Sequence, residues 1–351
     1  MRILLVFLST AMLLAGCGSG GSETTRGEDS PKYVFRFVHE ESPSSVQNSY
    51  VEEFKKKLEE KSNGEIAVDI YPVGQLGNAV TQFELVQMGA VDFAIVSPGN
   101  IGTFVPESQV LLLNFLFSDN MDVNRKVLNE SPALYDLLSK KFEEKGVKPM
   151  SYWTEGFNDW TSNKQMQQPQ DFEGVKFRTM PSPLIVSSYQ AYGANPTPVP
   201  YEQVYSGLQL GMIDGETNPL FAIEQMKFYE VQSHLTLSRH SLYTTSTVVN
   251  KERYERLPSN VQNMIDETIE EMKGESFEIQ KDYNQKALKA IKKNSSIKIN
   301  ELSERQRKTF KEKAQSVQKE YVERVGKDGK AILEQLKKDI QQAEKETESQ
   351  K

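Results

Sequence analysis

The chain has 351 residues, a formal net charge of -7 and a single cysteine. An acidic chain is a poor partner for nucleic acid, although one pocket in it can still be locally positive. One cysteine excludes an internal disulfide. The length beyond a short leader favours two domains over one core.

The first residues predict export and a lipid anchor. Arg2 precedes an apolar run over residues 3–14, and Leu-Ala-Gly-Cys follows at residues 14–17. The run is shorter than the ~20 residues that a membrane-spanning helix needs, and this order of features is typical of a secretory signal. The last four residues resemble the lipobox of bacterial lipoproteins. We therefore predict a signal peptide over residues 1–16, lipidation at Cys17 and a flexible tether over residues 17–31.

The folded part begins with alternating strand and helix signals. Period-two patterns predict strands, and apolar residues at helical spacing predict the helices between them. The predicted elements in chain order are a strand at 33–38, a helix at 49–61, a strand at 65–72, a helix at 78–88 and a strand at 91–96. This β-α-β rhythm predicts a layered α/β domain.

The same rhythm starts again after residue 148, and helices complete the chain. The predicted elements are extended segments at 149–152 and 157–162, a strand at 175–178, a helix at 183–192, a strand at 197–200, a helix at 201–210 and helices at 259–294, 303–325 and 327–346. We predict that one domain comprises residues 32–155 and 244–283. The other comprises residues 156–243 and 284–346.

No catalytic or metal-binding motif stands out. The sequence contains no HExxH, GxSxG or phosphate-binding loop, and His39, His234 and His240 are scattered along the chain. His39 and Glu40 are adjacent without the partner spacing that a zinc site needs. We therefore expect no metal, no cofactor and no enzymatic activity, and we include Glu40 among the candidate ligand-binding residues.

Arg178 is the strongest candidate for ligand recognition. It ends a predicted strand just before a loop that contains Pro181 and Pro183. Ligands of α/β sheets bind outside the carboxyl ends of the strands, and the guanidinium fork suits a carboxylate. A surface arginine that pairs with Glu173 or with water is the structural alternative.

The segment 208–220, LQLGMIDGETNPL, offers a complement to Arg178. We expect Met212 and Ile213 to form a buried strand, with a turn after them and a helix from Pro219. Asn218 then either caps that helix or donates to a ligand carboxylate. Aromatic residues that would suit the walls of a small-molecule cleft, and that are equally ordinary core residues, are Trp160, Tyr201 and Tyr243.

Several of these segments together resemble one family. They are LEEKSNGEIAVDIYPVGQLG (58–77), GVKFRTMPSP (174–183), GANPTPVPYEQVYSGLQLGMIDGETNPL (193–220) and KFYEVQSHL (227–235). The chain resembles the DctP-type solute receptors of TRAP transporters, in lipoprotein form, over essentially its whole mature length. The resemblance implies a type II-like periplasmic-binding-protein fold with two α/β domains, mixed sheets flanked by helices and a long helix across both domains.

The resemblance also assigns site residues. The selectivity arginine of the family falls on Arg178, its pocket asparagine on Asn218 and its aromatic residue on Tyr201. Many members carry a second arginine where this chain has Asn158. Because asparagine brings no charge, we expect only one ligand carboxylate to be held by an arginine.

The predicted function is therefore that of an extracytoplasmic, lipid-anchored receptor at the outer face of the cell membrane or in the periplasm. It would bind a small organic carboxylate, such as a C4-dicarboxylate or a sugar acid, between two domains and deliver it to the small and large permease subunits. A receptor that presents its ligand to a sensor kinase and an exported hydrolase are the alternatives.

Overall fold

The computed structural model describes residues 30–349. The predicted signal peptide, the lipidation at Cys17 and the tether as far as residue 29 lie outside the described residues. Within residues 30–349, no helix combines the length and the apolar character that a membrane crossing requires.

The described residues form one mixed sheet of nine strands flanked by helices. In spatial order the strands run β2-β1-β3-β8-β4-β7-β5-β6, and β9 pairs with β8. The strands are β1 (Tyr33–Val38), β2 (Ile66–Tyr71), β3 (Phe93–Val96), β4 (Val147–Ser162), β5 (Lys176–Thr179), β6 (Asn195–Pro198), β7 (Gly215–Pro219), β8 (His234–Asn250) and β9 (Lys298–Glu301). The outer strands pair in parallel, whereas the long central strands β4 and β8 are antiparallel.

The predicted segments 149–152 and 157–162 are parts of the single strand β4. Its pairing with β8 is interrupted by register shifts between Pro149 and Ser151, between Thr154 and Gly156, and between Asn158 and Trp160. Such bulges bend a strand and redirect its side chains without ending the pairing. The interruptions that separated the two segments in the sequence are therefore irregularities of one strand.

Helices cover both faces of the sheet. They are α1 (Val46–Lys61), α2 (Ala79–Gln87), α3 (Pro98–Ile101), α4 (Met121–Glu130), α5 (Ser139–Glu143), α6 (Pro183–Ala191), α7 (Val204–Gln209), α8 (Leu220–Gln225), α9 (Phe228–Val231), α10 (Lys251–Glu255), α11 (Ser259–Asn294) and α12 (Glu304–Ser349). Shorter helical turns are the 3-10 segments Pro106–Leu112, Pro169–Phe172 and Tyr201–Gln203 and the π segment Ala133–Leu138.

Two long helices connect the ends of the sheet. Helix α11 has 36 residues, so it is ~54 Å long at ~1.5 Å per residue. It packs against α1 near one end of the sheet and against α8 near the other. Helix α12 is broken at Gly326, where φ is 78° and ψ is -147°, so it is two helices as the sequence predicts.

The apolar core is divided between the two ends of the sheet. Two buried clusters surround β1, β2 and β3, and two smaller clusters surround β5, β6 and β7. The prediction of an α/β fold with a mixed sheet, flanking helices and a long helix across the molecule is confirmed. The exact domain boundaries stay a prediction.

The segment before Pro219 differs from its prediction. Met212 is 65% exposed and lies in a turn that includes Gly211, whose φ is +66°, whereas Ile213 is buried. The backbone N–H groups of Met212 and Ile213 both donate to the carbonyl of Gly207, which closes this turn after α7. The strand begins only at Gly215, so Asn218 is a strand residue, and Pro219 occupies the cap position of α8.

Candidate functional site

A cavity of about 290 Å³ lies at the carboxyl ends of β1 and β5. Its lining comes from both ends of the sheet, which is the position where open α/β sheets bind ligands. The polar residues that line it include Glu40 and Glu41 after β1, Arg178 in β5, Tyr201 after β6, Asn218 in β7 and Tyr243 in β8. Five of the seven predicted ligand-binding residues are therefore brought together here.

The other two predicted residues lie elsewhere. Asn158 lines a smaller neighbouring cavity, and its Nδ2 donates to Ser241 Oγ at 3.0 Å. Trp160 lines neither of these two cavities. Its fully buried ring stacks on His240 with ring centroids 4.6 Å apart, and its Nε1 donates to Tyr189 Oη at 3.0 Å. The structure thus places Trp160 in the core of the β5–β7 end.

Arg178 presents a buried guanidinium to the main cavity. The residue is 3% exposed, and its Nε donates to the carbonyl of Val199 at 2.9 Å, which fixes the plane of the fork. Within residues 30–349, no carboxylate lies within ion-pairing distance of it and neither Nη makes a hydrogen bond. Burial lowers its pKa, and the nearby Glu216 opposes that effect. A buried cation without a partner is costly, so an anionic group of a ligand would stabilise it.

Asn218 is held in place by a buried acid. Its Nδ2 donates to Glu216 Oε2 at 2.5 Å, and Thr161 Oγ1 donates to the other oxygen, Oε1, at 2.6 Å. Burial raises the pKa of Glu216 to about 7, against the opposing effects of Thr161, Asn218 and Arg178. An amide NH2 has two donor hydrogens, so Asn218 keeps one for a ligand in the cavity that it lines.

The opposite wall of the cavity is acidic. Glu40 is buried, and its carboxylate accepts from Ser97 N at 3.1 Å and from Ser97 Oγ at 2.6 Å. Burial raises the pKa of Glu40 to about 7. Glu41 lines the same wall, and it lies near enough to Glu155 of β4 for the two carboxyl groups to influence each other's pKa.

Glu41 and Glu155 form a buried pair of acids in which each influences the pKa of the other. Burial, followed by the charge of Glu41, holds the pKa of Glu155 well above its usual range. Burial raises the pKa of Glu41 as well, so both acids bind protons more tightly than exposed glutamates do. Gln47 supports both, because its N–H donates to Glu41 at 3.3 Å and its Nε2 donates to Glu155 at 2.8 Å.

Two tyrosines add neutral hydrogen-bonding groups. Burial, and then the charges of the nearby glutamates, raise the pKa values of Tyr201 and Tyr243 well above their ordinary range, so both hydroxyls keep their protons. The Tyr201 hydroxyl is buried and has no hydrogen-bond partner among residues 30–349. It is therefore a donor that a ligand can use.

Three acids in and around the cavity were not among the predicted site residues: Glu41, Glu155 and Glu216, which supports Asn218. The signals were present: Glu41 follows Glu40 directly after a strand, and Glu155 lies in β4, a strand rich in aromatic residues. A carboxylate in such a stretch is rarely buried without a partner, so it is a sign of a functional site.

The described residues show no catalytic constellation. Within residues 30–349, no group of three or more His, Cys, Asp or Glu side chains is placed to hold a metal ion. Burial lowers the pKa of His240 to about 3 and that of His39 to about 4. Both rings are therefore neutral, and neither faces a nucleophile in the main cavity. The arrangement suits binding, with one cation opposite several acids.

Comparison with known proteins identifies the family. The family described as bacterial extracellular solute-binding protein, family 7, called DctP, matches residues 37–324. The chain belongs to this family. Its relatives are solute-binding proteins of transporters and not enzymes, so this family 7 protein is a TRAP transporter solute-binding protein.

Three relatives illustrate the family. The ectoine-binding periplasmic protein TeaA of Halomonas elongata is 33% identical to this chain, over 90% of this chain and 92% of TeaA. A solved structure of TeaA superposes on this one with a TM-score of 0.85 and covers 88% of this chain and 99% of that structure. The ectoine/5-hydroxyectoine-binding protein UehA of Ruegeria pomeroyi is 31% identical over 95% and 98% of the two chains. The C4-dicarboxylate-binding protein DctP of Rhodobacter capsulatus is 30% identical over 84% and 87%. The predicted periplasmic-binding-protein fold is thereby confirmed.

Proposed function

We propose that this receptor binds a small zwitterionic solute, with its carboxylate at Arg178 and its positive group facing Glu40 and Glu41. The observation that carries the proposal is the placement of one buried arginine and several buried glutamates around a single cavity. This refines the expectation of a small organic carboxylate, for which the sequence left the ligand class open.

The proposed binding of the solute's carboxylate rests on Arg178, Asn218 and Tyr201. The guanidinium lacks an ionic partner within residues 30–349, and the other two side chains offer neutral donors beside it. Hydrogen bonds to ionised groups are stronger than those between neutral groups, so one carboxylate can satisfy all three side chains.

The proposed binding of the solute's positive group rests on the acidic wall of the cavity. A C4-dicarboxylate held at Arg178 would bring its second carboxylate towards Glu40 and Glu41, and like charges at close range repel. A positive group in the same position would stabilise the ionised forms of both glutamates. Ectoine, the ligand named for TeaA and UehA, is a cyclic amidinium carboxylate and belongs to the zwitterionic class.

Calorimetry with a panel of solutes tests this function. The panel comprises ectoine and L-proline as zwitterions, gluconate as a neutral-ended monocarboxylate, and succinate and malate as dicarboxylates. We expect the best zwitterion to bind at least ~10-fold more tightly than either dicarboxylate, which corresponds to ~1.4 kcal/mol. A preference for succinate or malate over every zwitterion contradicts the proposal, and a preference for gluconate favours a sugar-acid receptor.

We also propose that Cys17 carries the lipid that holds this receptor at the membrane, where it delivers solute to the small and large permease subunits. The support is the Leu-Ala-Gly-Cys segment after an apolar run. Cells that produce Cys17→Ser should release the protein from the membrane fraction, whereas the parent should stay in it. Equal membrane association of the two proteins overturns the lipid anchor without affecting the solute site.

A further inference from the structure

A second, smaller cavity of about 40 Å³ lies beside the main one. Met180 and Tyr243 line both cavities, so these two side chains stand between them. The volume is on the order of that needed by two or three water molecules or by one hydroxyl-bearing arm of a ligand. We call this cavity the side pocket.

The side pocket contains polar atoms without partners. Thr244 is only 2% exposed, and its Oγ1 makes no hydrogen bond to any of residues 30–349. Asn158 donates to Ser241, but its buried Oδ1 has no partner among the same residues. Buried polar groups are nearly always hydrogen-bonded, so a donor and an acceptor left open in one pocket point to an occupant.

The side pocket is uncharged. Its lining residues, all within residues 30–349, include no Asp, Glu, Lys or Arg. The imidazole of His240 is neutral, because burial and then the nearby Arg307 lower its pKa to about 3. Its Nε2 lies 3.2 Å from Tyr189 Oη and 3.4 Å from Thr217 Oγ1. A charged substituent would have no counter-charge here, whereas a hydroxyl would find both a donor and an acceptor.

The irregular pairing of β4 with β8 gives this pocket its shape. One register shift lies between Thr154 and Gly156, and another lies between Asn158 and Trp160. Thr154 pairs with Thr244, and Asn158 pairs with Ser241. Bulges redirect side chains next to binding sites. The same irregularity therefore places Thr244 and Asn158 in one pocket from two different strands.

We propose that the side pocket receives an uncharged, hydroxyl-bearing arm of the solute, which accepts from Thr244 Oγ1 and donates to Asn158 Oδ1. The inference rests on the proposed function, because Arg178 must hold the carboxylate in the main cavity. It adds a second determinant of specificity, which selects a hydroxylated solute over the same solute without the hydroxyl.

Two pairs of zwitterions test the side pocket: 5-hydroxyectoine against ectoine, and trans-4-hydroxy-L-proline against L-proline. In the parent protein we expect the hydroxylated member of at least one pair to bind ~5-fold or more tightly. Thr244→Val keeps the shape but removes the hydroxyl, so it should bring the ratio of the two dissociation constants close to 1.

Thr245→Val is the matched control. Thr245 is the next residue of β8, is equally buried and also has an unpartnered Oγ1 among residues 30–349, but it lines neither of the two cavities. It should keep the parent's preference for the hydroxylated solute. A parent that shows no preference in either pair, or equal ratios in both variants, overturns the inference.

A crystal structure without added solute gives a readout that does not depend on the proposed function. Polar pockets of this size hold ordered water when no ligand is present. We expect density for water within hydrogen-bonding distance of Thr244 Oγ1 and Asn158 Oδ1, and a dry side pocket overturns the inference. If Arg178→Ala leaves binding intact while Thr244→Val still abolishes the hydroxyl preference, the carboxylate assignment fails and the side pocket stands.

Discussion

At the scale of single residues, the site depends on charges that the protein buries before any ligand arrives. Arg178 is almost fully buried, and a hydrogen bond to the carbonyl of Val199 holds its guanidinium in place. Glu216 is fully buried nearby and orients Asn218. A site built in this way binds strongly because its side chains need little rearrangement when the ligand enters.

Replacing Arg178 should therefore remove most of the affinity. Loss of one partner of a desolvated charge pair costs ~2–5 kcal/mol, so Arg178→Ala should weaken binding by roughly 30-fold to several thousand-fold. Arg178→Lys keeps the charge but loses the fork, and it should still bind worse than the parent. Asn218→Ala should cost less, about 1–3 kcal/mol.

Calorimetry and the melting temperature of the unliganded protein should be measured for each of these variants. Lys176→Ala is the control, because Lys176 is an exposed residue of the same strand that does not line the cavity. If Arg178→Ala changes only the melting temperature and leaves the dissociation constant within a few-fold of the parent, Arg178 does not anchor the ligand.

The glutamates should make both stability and binding depend on pH. Burial raises the pKa values of Glu40 and Glu216 to about 7 in the folded protein, above the ordinary value of 4.5. A raised pKa means that the folded state binds protons more tightly than the unfolded state. The resulting stabilisation is fully present below about pH 4.5 and is lost as the pH rises through 7, so the melting temperature of the unliganded protein should fall between pH 5 and pH 8.

Binding of a zwitterion should show the opposite trend. The positive group of the solute favours ionised Glu40, so binding near pH 6.5 should release protons, and affinity should rise from pH 5 to pH 8. Calorimetry in two buffers of different ionisation enthalpy measures this release. Glu40→Gln should reduce it, although Glu41, Glu155 and Glu216 also titrate around the cavity. Proton uptake, or an affinity that is constant over this range, would count against a cation at the acidic wall.

The sequence could predict that Arg178 and Asn218 lie in one site because both follow from local features, namely the end of a strand and a short motif, and both line the cavity. It could not show that the pKa of Glu155 is raised, because that shift depends on burial and on Glu41, which comes from a distant part of the chain. Trp160 shows the same limit: an aromatic residue can line a cleft or fill a core, and only its neighbours His240 and Tyr189 decide between them.

At the scale of elements, the positions of strands and helices follow closely from the hydrophobic patterns of the sequence. The irregular pairing within β4 does not. The sequence predicts two segments in the long strand β4, at 149–152 and 157–162, which are separated by residues that include Gly156. The pairing with β8 that makes them one strand connects residues far apart in the chain. The break at Gly326, in contrast, lies where the sequence predicts it, between the helices at 303–325 and 327–346.

Gly326 and Gly274 offer a matched pair of helix substitutions. Neither has an atom within 4 Å of an added Cβ, but Gly326 has positive φ and Gly274 lies within helix α11. Gly326→Ala should cost about 1–3 kcal/mol of unfolding free energy through backbone strain alone. Gly274→Ala should gain about 0.5–1 kcal/mol, because alanine restricts the unfolded chain. Urea titrations measure both, and changes of the same sign would contradict this account of the break.

At the scale of the whole molecule, the described residues form two groups of apolar clusters that are joined by β4, β8 and α11. The sequence predicts two domains from the repeated β-α-β rhythm. It cannot show that their strands belong to one continuous sheet, since the pairing of β8 with both β3 and β4 connects residues far apart in the chain.

A solute that joins Arg178 to Glu40 would connect these two groups, so we expect the molecule to close when it binds. Small-angle X-ray scattering should show a smaller radius of gyration with saturating ectoine, or with the tightest solute of the panel, than without solute. Arg178→Ala at the same solute concentration should keep the radius of the unliganded protein. An unchanged radius in the saturated parent indicates a rigid body.

Asn284 lies on the long helix α11, one of the elements that join the two groups of apolar clusters. It does not line the main cavity. Its Nδ2 donates to the carbonyl of Glu155 at 2.7 Å, and its Oδ1 accepts from the backbone N–H of Phe221 at 3.1 Å. One side chain thus holds the middle of β4 and the beginning of α8 at a fixed separation. The apparent affinity of a receptor depends on the fraction of molecules already in the binding-competent shape. Evolution could therefore tune how tightly this receptor holds its solute at position 284, without altering which solute it prefers.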